Sequence, residues 1–190
     1  ADVGDASDSV VSLGVPFPPG RLFDPRKLAV LDDAGGEVPV HVESLARWPI
    51  DKSLRSVFVA FRATLAKGSS RKFTIRYGVP RSLPPSQRMA ANPDGPVVAL
   101  LSPQWYSSSQ VSGLLVPVAS NRRFALYDVK LESSLERLDH TAFGINCTRT
   151  ASHRTYYDGP HALYQRFLRT GDAGHYRRAR EESRWYRSNE

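Results

Sequence analysis

Between Arg154 and His161 the chain reads Arg-Thr-Tyr-Tyr-Asp-Gly-Pro-His. These residue types suit proton abstraction next to a carboxylate. An arginine can neutralise the carboxylate, and a tyrosine or histidine can take the α-proton. Arg154, Tyr156, Tyr157, Asp158 and His161 therefore form one candidate substrate-binding group. The same residues admit a plainer reading, in which Asp158 caps a helix and the aromatic rings pack its mouth. A second candidate is the stretch Gln104 to Ser109, read as a loop, where Trp105 and Tyr106 stand side by side. Exposed aromatic rings stack on sugar faces, and they equally well fill the space between modules. No residue is assigned as catalytic. His140, His153 and His175 lack metal-ligand spacing, and no phosphate-cradling glycine loop or nucleophile elbow occurs, so neither metal nor cofactor is expected. The lone Cys147 rules out an internal disulfide and reads as a small buried thiol.

The element that must carry the first group is a helical hairpin over 154–190. Asp158 can cap its first helix, with Pro160 in the opening turn. Gly171 supplies a left-handed stop and Asp172 can cap the second helix. Tyr176, Ala179, Ser183 and Tyr186 then recur on one semi-apolar face, with Trp185 beside them. Two helices of this length are marginal alone in water, so their apolar stripe needs a cover. Further helices after residue 190, another copy of the chain, or the preceding β region could each provide it.

Ahead of the hairpin the texture is that of short strands and turns. Residues 1–8 are polar and acidic, and read as a loose leader. Val10 to Val15 opens a strand that Pro16 ends. Leu28 to Leu31 runs into the turn Asp33 to Gly36. Val38 to Leu45, Leu54 to Leu65 and Lys72 to Tyr77 follow, alternating apolar and polar positions. Trp48, Phe61, Phe73 and Ile75 are the expected core of a small barrel or sandwich. A linker rich in proline, serine and arginine spans 81–96. A β extension is expected over 97–153, with strands at Val97 to Leu101, Leu114 to Val118 and Phe124 to Leu131.

The composition narrows the field. With 190 residues, 41% apolar and 24% charged, the chain suits one globular domain or one domain plus part of another. No apolar run approaches a membrane span. The start at Ala1-Asp2-Val3 matches a mature exported protein, secreted or periplasmic. The net charge is +7, and nine arginines fall between Arg149 and Arg187. Arginine forks suit carboxylate and phosphate. They can mark a solvated helix face or an anionic partner, and no nucleic-acid motif accompanies them.

Three segments, Gly14-Val15-Pro16-Phe17-Pro18-Pro19-Gly20, Val38-Pro39-Val40-His41-Val42 and Ala46-Arg47-Trp48-Pro49-Ile50-Asp51-Lys52-Ser53-Leu54-Arg55-Ser56-Val57, follow in that order. They resemble the N-terminal RIFT-barrel module of exo-rhamnogalacturonan-lyase-like proteins. His41 stands where that family has glutamine, Ile50-Asp51-Lys52 where it has Asp-Gly, and Ser56 where it has tryptophan. Tyr157-Asp158-Gly159-Pro160, with Leu163-Tyr164-Gln165 and Leu168 to Asp172, is similar to the first hairpin of the (α/α) toroid that follows the barrel in such proteins. The resemblance implies a mainly β fold: a RIFT-type barrel over 9–80, its β extension, and the start of a toroid. It further implies an exported protein directed at acidic polysaccharide, with polysaccharide-lyase chemistry where the toroid is complete and none in these 190 residues alone. The alternative is a structural or assembly subunit whose barrel and exposed hairpin make protein contacts.

Overall fold

The computed structural model describes residues 6–93, 95–136 and 158–188. The chain divides into two compact units, Ala1–Leu101 with Ser108–Val111, and Ser102–Ser107 with Ser112–Glu190.

In the first unit, six strands form two antiparallel sheets. β1 (Ala6–Pro16), β5 (Leu54–Leu65) and β4 (Val40–Arg47) make one, in the order β1-β5-β4. β3 (Glu37–Val38), β2 (Leu28–Leu31) and β6 (Thr74–Tyr77) make the other, in the order β3-β2-β6. The single run expected over Val38 to Leu45 is split between the two sheets at Pro39, which has no N–H to give a ladder. Among the described residues the strands do not close into a barrel. Alternation decides the inward faces. Val11 and Val15 of β1, Val57, Val59 and Phe61 of β5, Val40 of β4, and Leu28 and Val30 of β2 are all buried. Phe61 meets Phe73 with ring centroids 4.8 Å apart, and Phe17 meets Tyr77 edge-on at 5.2 Å. Of the expected core residues only Phe61 is fully buried; Trp48, Phe73 and Ile75 are half-buried.

The turn chemistry explains the sequence motifs. In the β4–β5 hairpin Trp48 N donates to Ser53 O and Lys52 N donates to Trp48 O. Asp51 Oδ1 accepts from Ser53 N and Ser53 Oγ, and Ser53 Oγ accepts from Gly20 N. The Trp48 indole donates to Phe17 O at 2.9 Å, and the Arg55 guanidinium stacks 5.1 Å from the indole centre. The Arg-Trp-Pro segment therefore ties the Phe17 to Leu22 segment to the hairpin. The stretch read as a linker is laid against the strands. Glu37 accepts from the N–H groups of Ser82 and Leu83, and Ser86 N donates to Val40 O. Asn92 N donates to Ser12 Oγ.

The second unit is helical, which corrects the expected β extension. α1 (Pro103–Ser109), α2 (Ala125–Glu136), α3 (Gly159–Thr170) and α4 (Ala173–Ser188) are its helices. No described residue between 97 and 136 is in a strand. In α2 the buried Asp128 and Leu135 and half-buried Leu131 and Glu132 fall at helical spacing on one face. The apolar run that suggested a strand over Phe124 to Leu131 lies partly on the opposite face. Pro103 and Pro117 each remove a backbone donor near the other two expected strands. Helices hold more of the described residues than strands do, so the architecture is mixed rather than mainly β. Leu163 of α3, Leu135 of α2 and Ala179 of α4 form the buried centre of this unit.

Candidate functional site

Of the expected site residues the structure describes Trp105, Tyr106, Asp158 and His161. Asp158 is the N-cap of α3, accepting from His161 N at 3.1 Å, with Pro160 in the first turn. His161 is exposed, its Nε2 3.4 Å from Gln165 Nε2. At the other end of the helix Gly171 takes φ +72° and donates to Phe167 O, and Asp172 Oδ1 accepts from Gly174 N. Arg154, Tyr156 and Tyr157 lie outside the described residues. Gln104 to Ser109 is helix α1 rather than a loop. Tyr106 is buried edge-on against Phe167 at 5.6 Å, so it has no face to offer a sugar, while Trp105 is half-buried.

A set of charged residues that does converge comes from three helices and belongs to none of the motifs named above. Asp128 and Glu132 sit one turn apart on α2, Arg166 and Arg169 one turn apart on α3, and His175 lies in the first turns of α4. Arg166 donates to Asp128 Oδ1 at 3.1 Å and to Glu132 Oε2 at 2.6 Å. Arg169 Nη1 lies 2.7 Å from Asp128 Oδ1, and its Nε donates to Val116 O at 2.8 Å. Asn121 Nδ2 donates to Asp128 Oδ2 at 2.7 Å, and His175 Nε2 lies 2.7 Å from Glu132 Oε1. Burial alone would push both carboxyls up. For Asp128, hydrogen bonds from Arg169 and Asn121 and the charge of both arginines outweigh it and hold the group below the ordinary range. For Glu132, His175 and Arg166 do the same. The sequence signal was present, since 128/132 and 166/169 are same-face spacings. Chemically this cluster is closed: each carboxylate is satisfied by groups of the chain itself. It clamps α2 onto the α3–α4 pair. Among the described residues no group of histidine, cysteine, aspartate and glutamate could hold a metal ion.

An open groove lies in the first unit. A groove of about 510 Å³ runs along β4 and β5 beneath the 88–91 segment, lined by Glu43, Leu45, Phe58, Arg88 and Met89. The register opposes Glu43 to Phe58. His41 stacks edge-on to Phe58 at 6.0 Å, and its Nε2 lies 3.6 Å from Glu43 Oε2 with no hydrogen-bond partner. Arg88 reaches Glu43 only at 3.9 Å, and its side chain is 83% exposed. The groove thus offers an apolar floor, a carboxylate acceptor and a loosely held guanidinium. No protein-family model, curated protein or solved structure matches the chain.

Proposed function

We propose that the chain is the sugar-recognising front of an exported, carbohydrate-active protein, and that the groove along β4 and β5 takes acidic polysaccharide. In this reading the first unit corresponds to a RIFT-type barrel and α3–α4 to the first hairpin of an (α/α) toroid. The 190 residues bind without turning over substrate. The observation that carries it is the pairing of a half-buried aromatic, Phe58, with an exposed arginine, Arg88, whose ion pair with Glu43 is long. A pyranose ring presents an apolar face suited to Phe58 and Leu45, and hydroxyl groups suited to Glu43. A uronate carboxylate suits the fork of Arg88. Turning Arg88 away from Glu43 costs little, because such exposed pairs are worth at most about 1 kcal/mol. Titration calorimetry with oligogalacturonate is the test. Arg88→Ala is expected to weaken binding about tenfold, the loss of roughly 1.4 kcal/mol. Parent protein that leaves oligogalacturonate unbound at millimolar concentration, or an Arg88→Ala variant that binds as the parent does, overturns the reading.

A second reading, an assembly subunit, is favoured by one observation. The amino-terminal half of α2 leaves Leu126, Tyr127 and Val129 well exposed, with Phe124 just before it. Exposed apolar surface of this kind marks contact sites.

A further inference from the structure

Among the described residues β1 is an edge strand, paired on one side only, with β5. Phe17 N donates to Arg55 O, which fixes the phase of the ladder. The register Val15 to Val57, Leu13 to Val59 and Val11 to Phe61 continues it, so these odd-numbered residues spend their backbone groups on β5. The N–H and C=O groups of Val10, Ser12 and Gly14 point the other way. Among the described residues none of these backbone groups has a hydrogen-bond partner. Edge strands are normally blunted by lysine, proline, an inward charge or a bulge. The window from Ser9 to Val15 contains none of these side chains, and the register irregularity lies before it, between Ala6 and Ser9. An uncharged strand rich in valine is a template for another strand.

We infer that β1 pairs with β1 of a second copy of this chain, antiparallel about a two-fold axis through Ser12, joining two three-stranded sheets edge to edge. This register sets Ser12 opposite Ser12, Val10 opposite Gly14 and Val11 opposite Leu13. Outward backbone groups then meet outward groups, as an antiparallel ladder requires. No charged residue faces a like charge, because Asp8 falls opposite Pro16. The side chains also fit. Val10 and Gly14 share a face, and a Cβ placed on Gly14 would meet nothing within 4 Å, which leaves room for the partner's valine. On the other face the half-buried Leu13 gains the partner's Val11 as cover. Shifting by one pair in either direction brings Pro16, which lacks a donor, or Asp8, which sits at φ +44°, into the paired window. Gly14 is opposite Phe58 in the sheet, and the strap that carries Arg88 reaches β1 where Asn92 N donates to Ser12 Oγ, so it is Arg88→Ala, which leaves both contacts in place, that separates this inference from sugar binding.

The test uses the full chain with Cys147→Ser, so that introduced thiols are the only ones. Ser12→Cys places two thiols on opposed residues about 5.5 Å apart at Cα, within the span of a disulfide or a short thiol cross-linker. Ser9→Cys is the control, because the two-fold separates its copies by about 20 Å along the strand. Cross-linked dimer from Ser12→Cys but not from Ser9→Cys is expected at micromolar concentration. Gly14→Glu adds a side chain where there is open space, so the fold is kept, while the room for the partner's valine is lost. It is expected to weaken self-association by at least about tenfold in sedimentation. Arg88→Ala leaves sedimentation unchanged. A parent chain that sediments as a monomer, equal cross-linking at both thiols, or a Gly14→Glu chain that dimerises like the parent overturns the inference.

Discussion

Replacing Arg166 by methionine tests whether the charged cluster clamps the helical unit. Methionine keeps the apolar stem and removes the guanidinium. Arg166 is 7% exposed and donates one hydrogen bond to Asp128 and one to Glu132. A hydrogen bond to a charged group is worth roughly 1.5 to 3 kcal/mol, and breaking a buried ion pair from one side costs roughly 3 to 5 kcal/mol. Neither carboxylate is orphaned here. Asp128 keeps Arg169 and Asn121, and Glu132 keeps His175. The expected loss therefore sits at the lower end, about 3 kcal/mol. With a urea slope of about 2 kcal/mol per molar, the unfolding midpoint falls by about 1.5 M. Circular dichroism at 222 nm reads this directly, because α2, α3 and α4 all lie in the second unit. A double-mutant cycle with Asp128→Asn then isolates the pair, with a coupling of roughly 0.5 to 3 kcal/mol expected. A midpoint within about 0.25 M of the parent, or a cycle that adds without coupling, would refute the clamp.

Two further outcomes follow from the same unit. Asp128 and Glu132 are both held below the ordinary carboxylate range when folded, by Arg169, Asn121 and Arg166 in one case and His175 and Arg166 in the other. The unfolded chain therefore binds protons first on acidification, and the stability these two carboxylates contribute is fully present above about pH 5 and is lost progressively below about pH 4; helix that gains stability in acid would contradict this. Leu163 is fully buried against Leu135 and Ala179, so Leu163→Ala is expected to cost about 2 to 5 kcal/mol in the same denaturation assay. A cost at the level of a surface substitution, about 0.5 kcal/mol, would show that this core is placed wrongly.

The sequence announced the strands of the first unit and the helix ends of the hairpin where their signals are local. Leu54 to Leu65 alternates over a whole strand, and its bounds match β5. Asp158, Pro160, Gly171 and Asp172 mark helix ends by chemistry that depends on one or two neighbours, and each does so in the structure. The segment from Phe124 to Leu131 misled because a short apolar run carries too few residues to separate a period of 2 from one of 3.6. The deciding residues were polar: Asp128 and Glu132 define the inward face of α2, and an apolar count passes over them. For Trp105 and Tyr106 the sequence leaves a sugar face and internal packing equally open, for a related reason. Whether an aromatic ring faces a sugar or a helix depends on what arrives from elsewhere in the chain, and here Phe167 arrives against Tyr106 from 61 positions later.

The same long-range supply changes what the basic carboxy-terminal region means. Nine arginines between Arg149 and Arg187 suggest a surface that attracts polyanions. Yet Arg166 and Arg169 are spent on two carboxylates that the sequence places 34 to 41 positions earlier. Turning Arg166 outward takes a bond from both Asp128 and Glu132, and turning Arg169 outward takes one from buried Asp128, each at a cost of about 3 kcal/mol. The hairpin's apolar stripe is likewise met from within the unit, by Leu135 and Leu131 of α2 and Tyr106 of α1. A run of charge or of apolar residues therefore marks a binding surface only after its internal partners are subtracted. Among the described residues, subtracting them removes the buried face of the hairpin, while Arg88 above its groove, the outward half of α2 and the outward backbone groups of β1 are among the groups that internal contacts leave open.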